Sequence, residues 1–171
     1  MDEDLVKGLA AGDAAAYRQA YDRYGAVLFR TAARMLGSQC DAEDAVQEVF
    51  AALVRSRGRL AQVANLKAYV FVSLRHVAAQ IHKRHQQRAM TGLDETQCPA
   101  KRAQEATDET ERLWAFVARL PTEQQEVLTM KIQGELTFKD ISAICGISTN
   151  TAASRYRYAL EKLKQMMEKQ Q

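Results

Sequence analysis

The stretch TFKDISAICGISTNTAASRYRY, residues 137–158, contains two helical patterns separated by a glycine. Thr137 is a favourable N-cap for the first helix, Gly146 ends that helix, and Ser148 is a favourable N-cap for the second. A tight turn between two such helices sets the second across the first, so that its N-terminal half can enter the major groove of DNA. The stretch therefore predicts a helix-turn-helix, with an ordinary helical hairpin as the alternative.

The second of these helices has a polar outer face once its apolar residues are turned inward. That face carries short hydroxyl, amide, guanidinium and phenol groups, which can hydrogen-bond to base edges and phosphates. The candidate DNA-contact residues are Thr149, Asn150, Ser154, Arg155, Arg157 and Tyr158.

Two more helices are expected before the helix-turn-helix. The apolar pattern in residues 113–120 predicts one helix that Pro121 ends, and Thr122 with Gln125 predicts a capping box at the start of the next. Together with the helix-turn-helix they form a small helical module.

The first ninety residues also have the three- and four-residue spacing of apolar side chains that is typical of helices. One helix is expected to end near Gly37, and Asp41 is predicted to cap the next. Residues 55–64 have no clear period and predict a loop. Apolar side chains in residues 63–81 form a narrow seam on one long helix, in which Phe71 is predicted to be a core residue rather than a base-stacking one.

Residues 86–110 are rich in Gln, Thr and charged side chains, which is typical of a flexible or partly helical linker. We therefore predict an all-α fold of two small helical domains, residues 1–85 and residues 111–171, joined by this linker. The composition agrees, because a chain of 171 residues with 47% hydrophobic residues, 2 Pro and 8 Gly is neither disordered nor collagen-like.

Charge is unevenly distributed along the chain. Residues 51–90 carry eight basic and no acidic side chains, which indicates a nucleic-acid surface, with a solvated helix face as the alternative. The helix expected from Asp41 presents instead a flat acidic face onto which a basic partner helix can pack. The alternative there is that the carboxylates only favour the positive end of the helix dipole. The residues of the acidic face are Asp41, Asp44, Gln47 and Glu48.

Several segments, in the same order along the chain, resemble the extracytoplasmic-function sigma factors of bacterial RNA polymerase. The segments include DAEDAVQEVF at residues 41–50, NLKAYVF at residues 65–71, FKDIS at residues 138–142 and TAASR at residues 151–155. The resemblance implies a region 2-like domain that binds core polymerase, through the clamp helices of its largest subunit, and the minus-ten promoter element. It also implies a region 4-like helix-turn-helix domain that binds the minus-thirty-five element.

The resemblance also implies roles for individual residues. The acidic face would contact core polymerase, and the candidate residues of the last helix would contact the minus-thirty-five element. The loop around residues 59–65 would accept a base flipped out of the non-template strand, while basic residues on both sides hold backbone phosphates. The predicted minus-ten residues are Arg57, Arg59, Asn65, Lys67, Arg75, His76 and Lys83.

No catalytic residue, metal site or cofactor is expected. The three histidines lie on one basic helix without a Cys or carboxylate to complete a metal site, and no glycine-rich phosphate loop is recognisable. No apolar stretch approaches the roughly 18 residues that span a bilayer, and the acidic start is unlike a secretory signal. A cytoplasmic protein without membrane insertion is therefore expected.

The expected function is that of a sigma factor, which directs polymerase to specific promoters and assists their melting. The expected partners are bacterial core RNA polymerase and promoter DNA, with an anti-sigma factor as a further candidate. Two other classes stay open on the residues alone. One is a self-standing helix-turn-helix regulator with a helical N-terminal sensing or dimerisation domain, and the other is a helical adaptor that does not bind DNA.

Overall fold

The computed structural model describes residues 2–91 and 108–169, and every regular element among these residues is an α-helix. The all-α class predicted from the sequence is therefore confirmed. The chain divides into two compact units, residues 1–98 and residues 99–171, which we call unit 1 and unit 2.

Unit 1 is a helical bundle. Its helices are α1 (Asp2–Ala11), α2 (Ala14–Leu36), α3 (Gln39–Arg55), α4 (Arg57–Leu60) and α5 (Leu66–Thr91). Helices α2, α3 and α5 pack on one another, and α1 lies against α2 and α4. Leu28 from α2, Leu53 from α3 and Phe71 from α5 are all fully buried, so these three helices share one core. Burial of each such side chain stabilises the fold by about 1.5–3 kcal/mol.

The boundary between α2 and α3 differs from the prediction. Gly37 has a φ of 68°, in the left-handed region that favours glycine, and it ends α2. The chain can then turn at Ser38, whose Oγ accepts a hydrogen bond of 3.2 Å from the Asp41 backbone N–H. Ser38 is therefore the N-cap of α3, and the prediction of Asp41 as the cap was wrong. Asp41 lies in the first turn of the helix, where a carboxylate still favours the helix dipole.

The loop predicted for residues 55–64 is shorter in the structure. Helix α3 continues to Arg55, and α4 follows at once because fully buried Leu60 anchors that turn to the core. The Ser56 hydroxyl donates a hydrogen bond of 2.7 Å to the Ala52 carbonyl and covers the end of α3. Only residues 61–65 remain as a connecting segment, which we call the 61–65 loop.

Helix α5 carries the predicted apolar seam from Leu66 onward. Val63 lies before the helix, in the 61–65 loop. Phe71 is 0% exposed, so the prediction that it is a core residue is confirmed. The buried residues of the seam are Leu66, Val70, Leu74, Val77 and Ile81.

Unit 2 contains the helix-turn-helix. Its helices are α6 (Asp108–Val117), α7 (Thr122–Ile132), α8 (Phe138–Cys145) and α9 (Thr149–Glu168). The core joins Val117, Leu120, Leu128, Ala159 and Leu163, so α9 is held against α6 and α7. Gly146 has a φ of 66° at the end of α8, and the Thr151 backbone N–H donates a 3.0 Å hydrogen bond to the Ser148 Oγ at the start of α9. The predicted caps at these two positions are confirmed.

The capping box predicted at Thr122 and Gln125 does not form. Pro121 occupies the N-cap position of α7, so Thr122 is already inside the helix and its hydroxyl makes no capping hydrogen bond. The capping box of unit 2 lies instead at α8, where the Thr137 Oγ1 accepts from the Asp140 N–H at 3.1 Å and the Asp140 carboxylate accepts from the Thr137 N–H at 3.1 Å.

The two ends of the predicted linker are helical. Residues 86–91 belong to α5 and residues 108–110 belong to α6. The rest of that prediction, residues 92–107, lies outside the described residues. The linker and the exact domain bounds therefore stay predictions.

Loss of the α8 capping box gives a stability prediction for unit 2. Thr137→Ala removes one half of the box, and we expect it to lower the free energy of unfolding of unit 2 by about 1 kcal/mol. The only tryptophan of the chain, Trp114, lies half-buried beside the unit 2 core, so its fluorescence during urea unfolding of the whole protein follows this unit. The matched control is Thr122→Ala, which removes a hydroxyl that caps nothing. Equal midpoints for the two variants would contradict the role of the box.

Candidate functional site

The acidic face of α3 forms one wall of a cleft in unit 1. Asp44, Gln47 and Glu48 are exposed and line a cleft of about 740 Å³ between α3 and α5, which we call the α3–α5 cleft. Glu48 also forms an ion pair with Arg55, two turns further along the same helix. The structure therefore brings three of the four predicted polymerase-binding residues together.

Asp41, the fourth predicted residue, lies apart from the cleft. It is half-buried, and its Oδ1 is 3.4 Å from the His85 Nε2 on α5. Asp41 thus links the start of α3 to α5.

The opposite wall of the α3–α5 cleft is basic and amide-rich. Lys83, Arg84 and Gln87 of α5 line it, and the side chains of Val77 and Ile81 form its apolar floor. Lys83 was grouped with the promoter residues, but it shares this cleft with the acidic face. Arg84 belongs to the basic stretch of residues 51–90 that was expected to hold DNA phosphates, whereas Gln87 was not predicted as a site residue, because only the packing of α5 on α3 brings it near Asp44.

The 61–65 loop belongs to the predicted minus-ten surface and is largely exposed. Leu60 and Leu66, on either side of it, are buried and fix both of its ends, whereas Gln62 and Asn65 are exposed. The Asn65 Oδ1 accepts a 2.9 Å hydrogen bond from the Ala68 backbone N–H. Asn65 is therefore the cap of α5 as well as a loop residue.

A second hydrogen bond positions the base of this loop. The Tyr69 hydroxyl lies 3.0 Å from the Ser56 Oγ, which joins α5 to the segment between α3 and α4. Tyr69 is half-buried, and through this bond it helps fix the position of α5 relative to the segment that leads into the loop.

Basic residues flank the loop on both sides. Arg59 on α4 is exposed, and Lys67 is in the first turn of α5. Arg75 and His76 lie about 12 Å or more beyond Lys67 along α5, at 1.5 Å per residue. Arg59, Asn65 and Lys67 thus lie at the loop, whereas Arg75 and His76 lie further along the helix.

Arg57 packs against the turn between α1 and α2. Gly12 in this turn has a φ of 80°, in the left-handed region that favours glycine, and the Arg57 guanidinium lies close beside it. Burial raises the pKa of the Tyr17 hydroxyl, and the nearby positive charge of Arg57 opposes that rise. Arg57 therefore helps hold α4 on α1, besides being exposed to solvent.

The first three turns of α9 carry the predicted duplex-contact residues. Thr149, Asn150 and Arg157 are exposed, and Ser154 is half-buried. Asn150, Ser154 and Arg157 follow one another at the i, i+4, i+7 spacing that shares one helix face. The Arg157 guanidinium lies 5.2 Å from the centre of the exposed Tyr158 ring.

Arg155 is held by an ion pair with another helix. Its Nη2 lies 2.6 Å from the Glu123 Oε2 at the start of α7, and its side chain is only 25% exposed. Glu123 was missed by sequence analysis, since nothing local signals a pair between residues so far apart in the chain. The Tyr156 ring packs edge-on against Phe138, with ring centres 5.5 Å apart, and fixes α9 against α8.

The described residues contain neither a metal-binding cluster nor a membrane-spanning helix. No group of three or more His, Cys, Asp and Glu side chains in residues 2–91 and 108–169 could hold a metal ion. None of the described helices is long and apolar enough to cross a membrane.

The fold and these surfaces define a helical protein of two units, the second of which contains a helix-turn-helix. Two family models match it: sigma-70 region 2 over residues 20–89, in unit 1, and sigma-70 region 4 over residues 110–163, in unit 2. The RNA polymerase sigma factor CarQ of Myxococcus xanthus is 30% identical over 140 residues, which is 79% of each chain. The ECF RNA polymerase sigma factor SigL of Mycobacterium tuberculosis is 29% identical over 166 residues, 93% of each.

Solved structures share the fold. CnrH, in its complex with the cytosolic domain of CnrY, superposes with a TM-score of 0.75 at 21% identity, over 99% of each chain. The sigma factor RpoE of Bartonella quintana, in its complex with the anti-sigma factor NepR, gives 0.71 at 22% identity, over 89% of this chain and 96% of that one.

The chain belongs to the extracytoplasmic-function sigma factors of bacterial RNA polymerase. It binds core RNA polymerase and promoter DNA and directs the initiation of transcription. The region 2 match distinguishes it from a self-standing helix-turn-helix regulator with a sensing domain. Sigma factors as a class act by binding and are not enzymes.

Proposed function

We propose that the two units divide the work of promoter recognition between surfaces that can be named residue by residue. Unit 1 binds core polymerase through α3 and the unpaired minus-ten element through the 61–65 loop. Unit 2 binds the minus-thirty-five element through α9. The observation that supports this division best is that each unit has its own exposed polar surface, one at a loop and one on a recognition helix.

The polymerase contact is proposed for Asp44, Gln47 and Glu48. All three are exposed on one side of α3, and neighbouring Ala51 is small enough for another helix to approach closely. Carboxylates on such a face attract a basic helix and increase its rate of association. Asp41 is predicted to contribute less, because it already lies against His85.

The minus-ten contact is proposed for the 61–65 loop and the cations around it. An exposed loop fixed at both ends by buried leucines can receive a base without itself being displaced. Arg59, Lys67 and Arg75 then hold the phosphates on either side of the flipped nucleotide. Unstacking a base costs a few kcal/mol, so a pocket that fits one base better than another also supplies selectivity.

The minus-thirty-five contact is proposed for the N-terminal half of α9. Asn150, Ser154 and Arg157 share one helix face, on which Asn150 and Arg157 are exposed and Ser154 is half-buried, with Thr149 and Tyr158 beside it. Amide and guanidinium groups on that face match the donor and acceptor pattern of base pairs in the major groove. Arg155, held by Glu123, contacts DNA from a fixed position and orients the helix.

Regulation by an anti-sigma factor is proposed by analogy. CnrH is in a complex with the cytosolic domain of CnrY, and RpoE of Bartonella quintana is in a complex with the anti-sigma factor NepR. Because this chain shares their fold, we infer that it too binds a protein of this kind. We also infer that it acts in the cytoplasm, where RNA polymerase is found, and that it has no catalytic activity of its own.

In vitro transcription tests the proposal as a whole. Core RNA polymerase without any other sigma factor should bind the purified full-length chain and start specific transcripts from a subset of genomic fragments. Footprints on the selected promoters should cover both the minus-thirty-five and the minus-ten regions. Binding to DNA fragments without polymerase, together with failure to join core polymerase, would instead support the self-standing regulator.

A further inference from the structure

The α3–α5 cleft has charges of opposite sign on its two walls. Asp44 and Glu48 lie on the α3 wall, one helical turn apart, and Lys83 and Arg84 lie on the α5 wall. The floor between them includes Val77 and Ile81, whose side chains are apolar. A surface with an apolar floor and polar walls is typical of a groove that receives an amphipathic helix.

Several of these charges have no ion-pair partner in the part of unit 1 that the structure describes. Among residues 2–91, which the structure describes in this unit, Asp44, Lys83 and Arg84 form no ion pair, whereas Glu48 binds Arg55. The two walls face one cleft, yet no ion pair within 4.0 Å joins Asp44 or Glu48 to Lys83 or Arg84. The cleft therefore leaves room between the walls for the side chains of a third helix.

We propose that the polymerase helix that docks on α3 carries acidic as well as basic side chains, and that Lys83 and Arg84 bind its acidic flank. This inference rests on the proposed function of α3 and adds the second wall of the same site. It gives Lys83 and Arg84 a role in protein docking in place of promoter contact. Gln80 and Gln87, beside them, can hydrogen-bond to either kind of polar group on the partner.

Promoter DNA fits this cleft less well than a protein helix does. A phosphate placed on Lys83 would lie in the same cleft as the carboxylates of Asp44 and Glu48, and like charges repel. The loop cations Arg59 and Lys67 do not line the cleft, so they have no such acidic neighbours across it. A helix with charges of both signs satisfies both walls at once.

The test reverses the basic wall in the full-length protein. For Lys83→Glu with Arg84→Glu, we expect affinity for core polymerase to fall about tenfold or more, with a slower association at low salt. The control is Lys7→Glu with Arg18→Glu, which changes net charge equally at exposed residues of α1 and α2. Thermal unfolding by circular dichroism checks the fold, and Lys83→Gln with Arg84→Gln gives a milder variant with a smaller loss.

A second measurement separates this inference from the proposed function. At a variant concentration that saturates core polymerase, promoter opening by the resulting holoenzyme should be normal if Lys83 and Arg84 act only in docking. Normal core affinity with defective opening would show that they contact DNA and would overturn the inference. If core affinity is unchanged both in the α5 variant and in a variant with Asp44 and Glu48 reversed, the proposed polymerase site on α3 is wrong too. If the α3 variant loses core affinity and the Lys83 and Arg84 variant does not, the α3 site stands and only the role of the basic wall is overturned.

Discussion

Asp44→Lys combined with Glu48→Lys should abolish binding to core RNA polymerase without reducing the helix content of the protein. Both side chains are exposed and lie one turn apart, so their reversal creates two repulsive contacts with the same basic helix. Loss of one close charge contact at an interface costs about 2–5 kcal/mol, so the two together should weaken binding about a thousandfold or more.

The matched control for this pair is Asp22→Lys combined with Glu43→Lys. Asp22 on α2 and Glu43 on α3 are exposed, and neither lines the α3–α5 cleft. The control changes net charge by the same amount, so it removes the general effect of charge on association. Titration of labelled protein with core polymerase measures both affinities. Similar affinities for the test pair and the control pair would exclude this face of α3 from the polymerase interface.

Local signals in the sequence predicted most of the helices. The seam on α5, the glycine turn at Gly146 and the caps at Thr137 and Ser148 each depend on residues within one or two turns of one another. Such features do not depend on how the rest of the chain packs, because the groups that hydrogen-bond or pack together are already close in sequence.

The incorrect boundaries have a common cause. Ser38 and Asp41 are both good N-caps one turn apart, and the end of α2 at Gly37 decides in favour of the first. Thr122 resembles a cap, but Pro121 already occupies that position and places Thr122 inside the helix. Where two residues could each be the N-cap, the end of the preceding element determines which one is used. Sequence spacing alone does not show where that element ends.

The sequence proposed the candidate site residues by type and segment, but it did not predict how the fold groups them. Asp44 and Glu48 share a face of one helix, which periodicity shows. Lys83 faces them only because α5 packs on α3, and Arg155 meets Glu123 only because α9 packs on α7. Contacts between distant parts of the chain depend on tertiary packing, which no local pattern specifies.

The proposed division between the two units predicts opposite defects for Asn65 and Arg157. Arg157→Ala should weaken binding of holoenzyme to duplex minus-thirty-five DNA roughly 5- to 150-fold, which corresponds to about 1–3 kcal/mol for one base contact. Opening should be normal on a template with a preformed bubble. The control is Lys162→Ala, which removes an exposed cation from the C-terminal half of the same helix.

Asn65 requires a substitution that keeps the cap of α5. Asn65→Ala would remove both the amide and the hydrogen bond from Ala68, and cap loss alone costs about 1 kcal/mol. Asn65→Ser retains a capping oxygen but lacks the amide that could reach a flipped base. We therefore expect Asn65→Ser to form closed complexes with normal affinity but fewer permanganate-reactive open ones. Asn65→Ala should show the same opening defect together with a lower melting temperature.

The two variants together decide between this division and its reverse. If Arg157→Ala prevents opening on the bubble template while Asn65→Ser opens every template normally, the two units have the opposite roles. If Asn65→Ser is normal and only Asn65→Ala is defective, Asn65 acts as the cap of α5 and the flipped base lies elsewhere. The proposed division requires a different result from both of these. Duplex binding must depend on Arg157 and strand opening on the Asn65 amide, and neither variant may have the defect of the other.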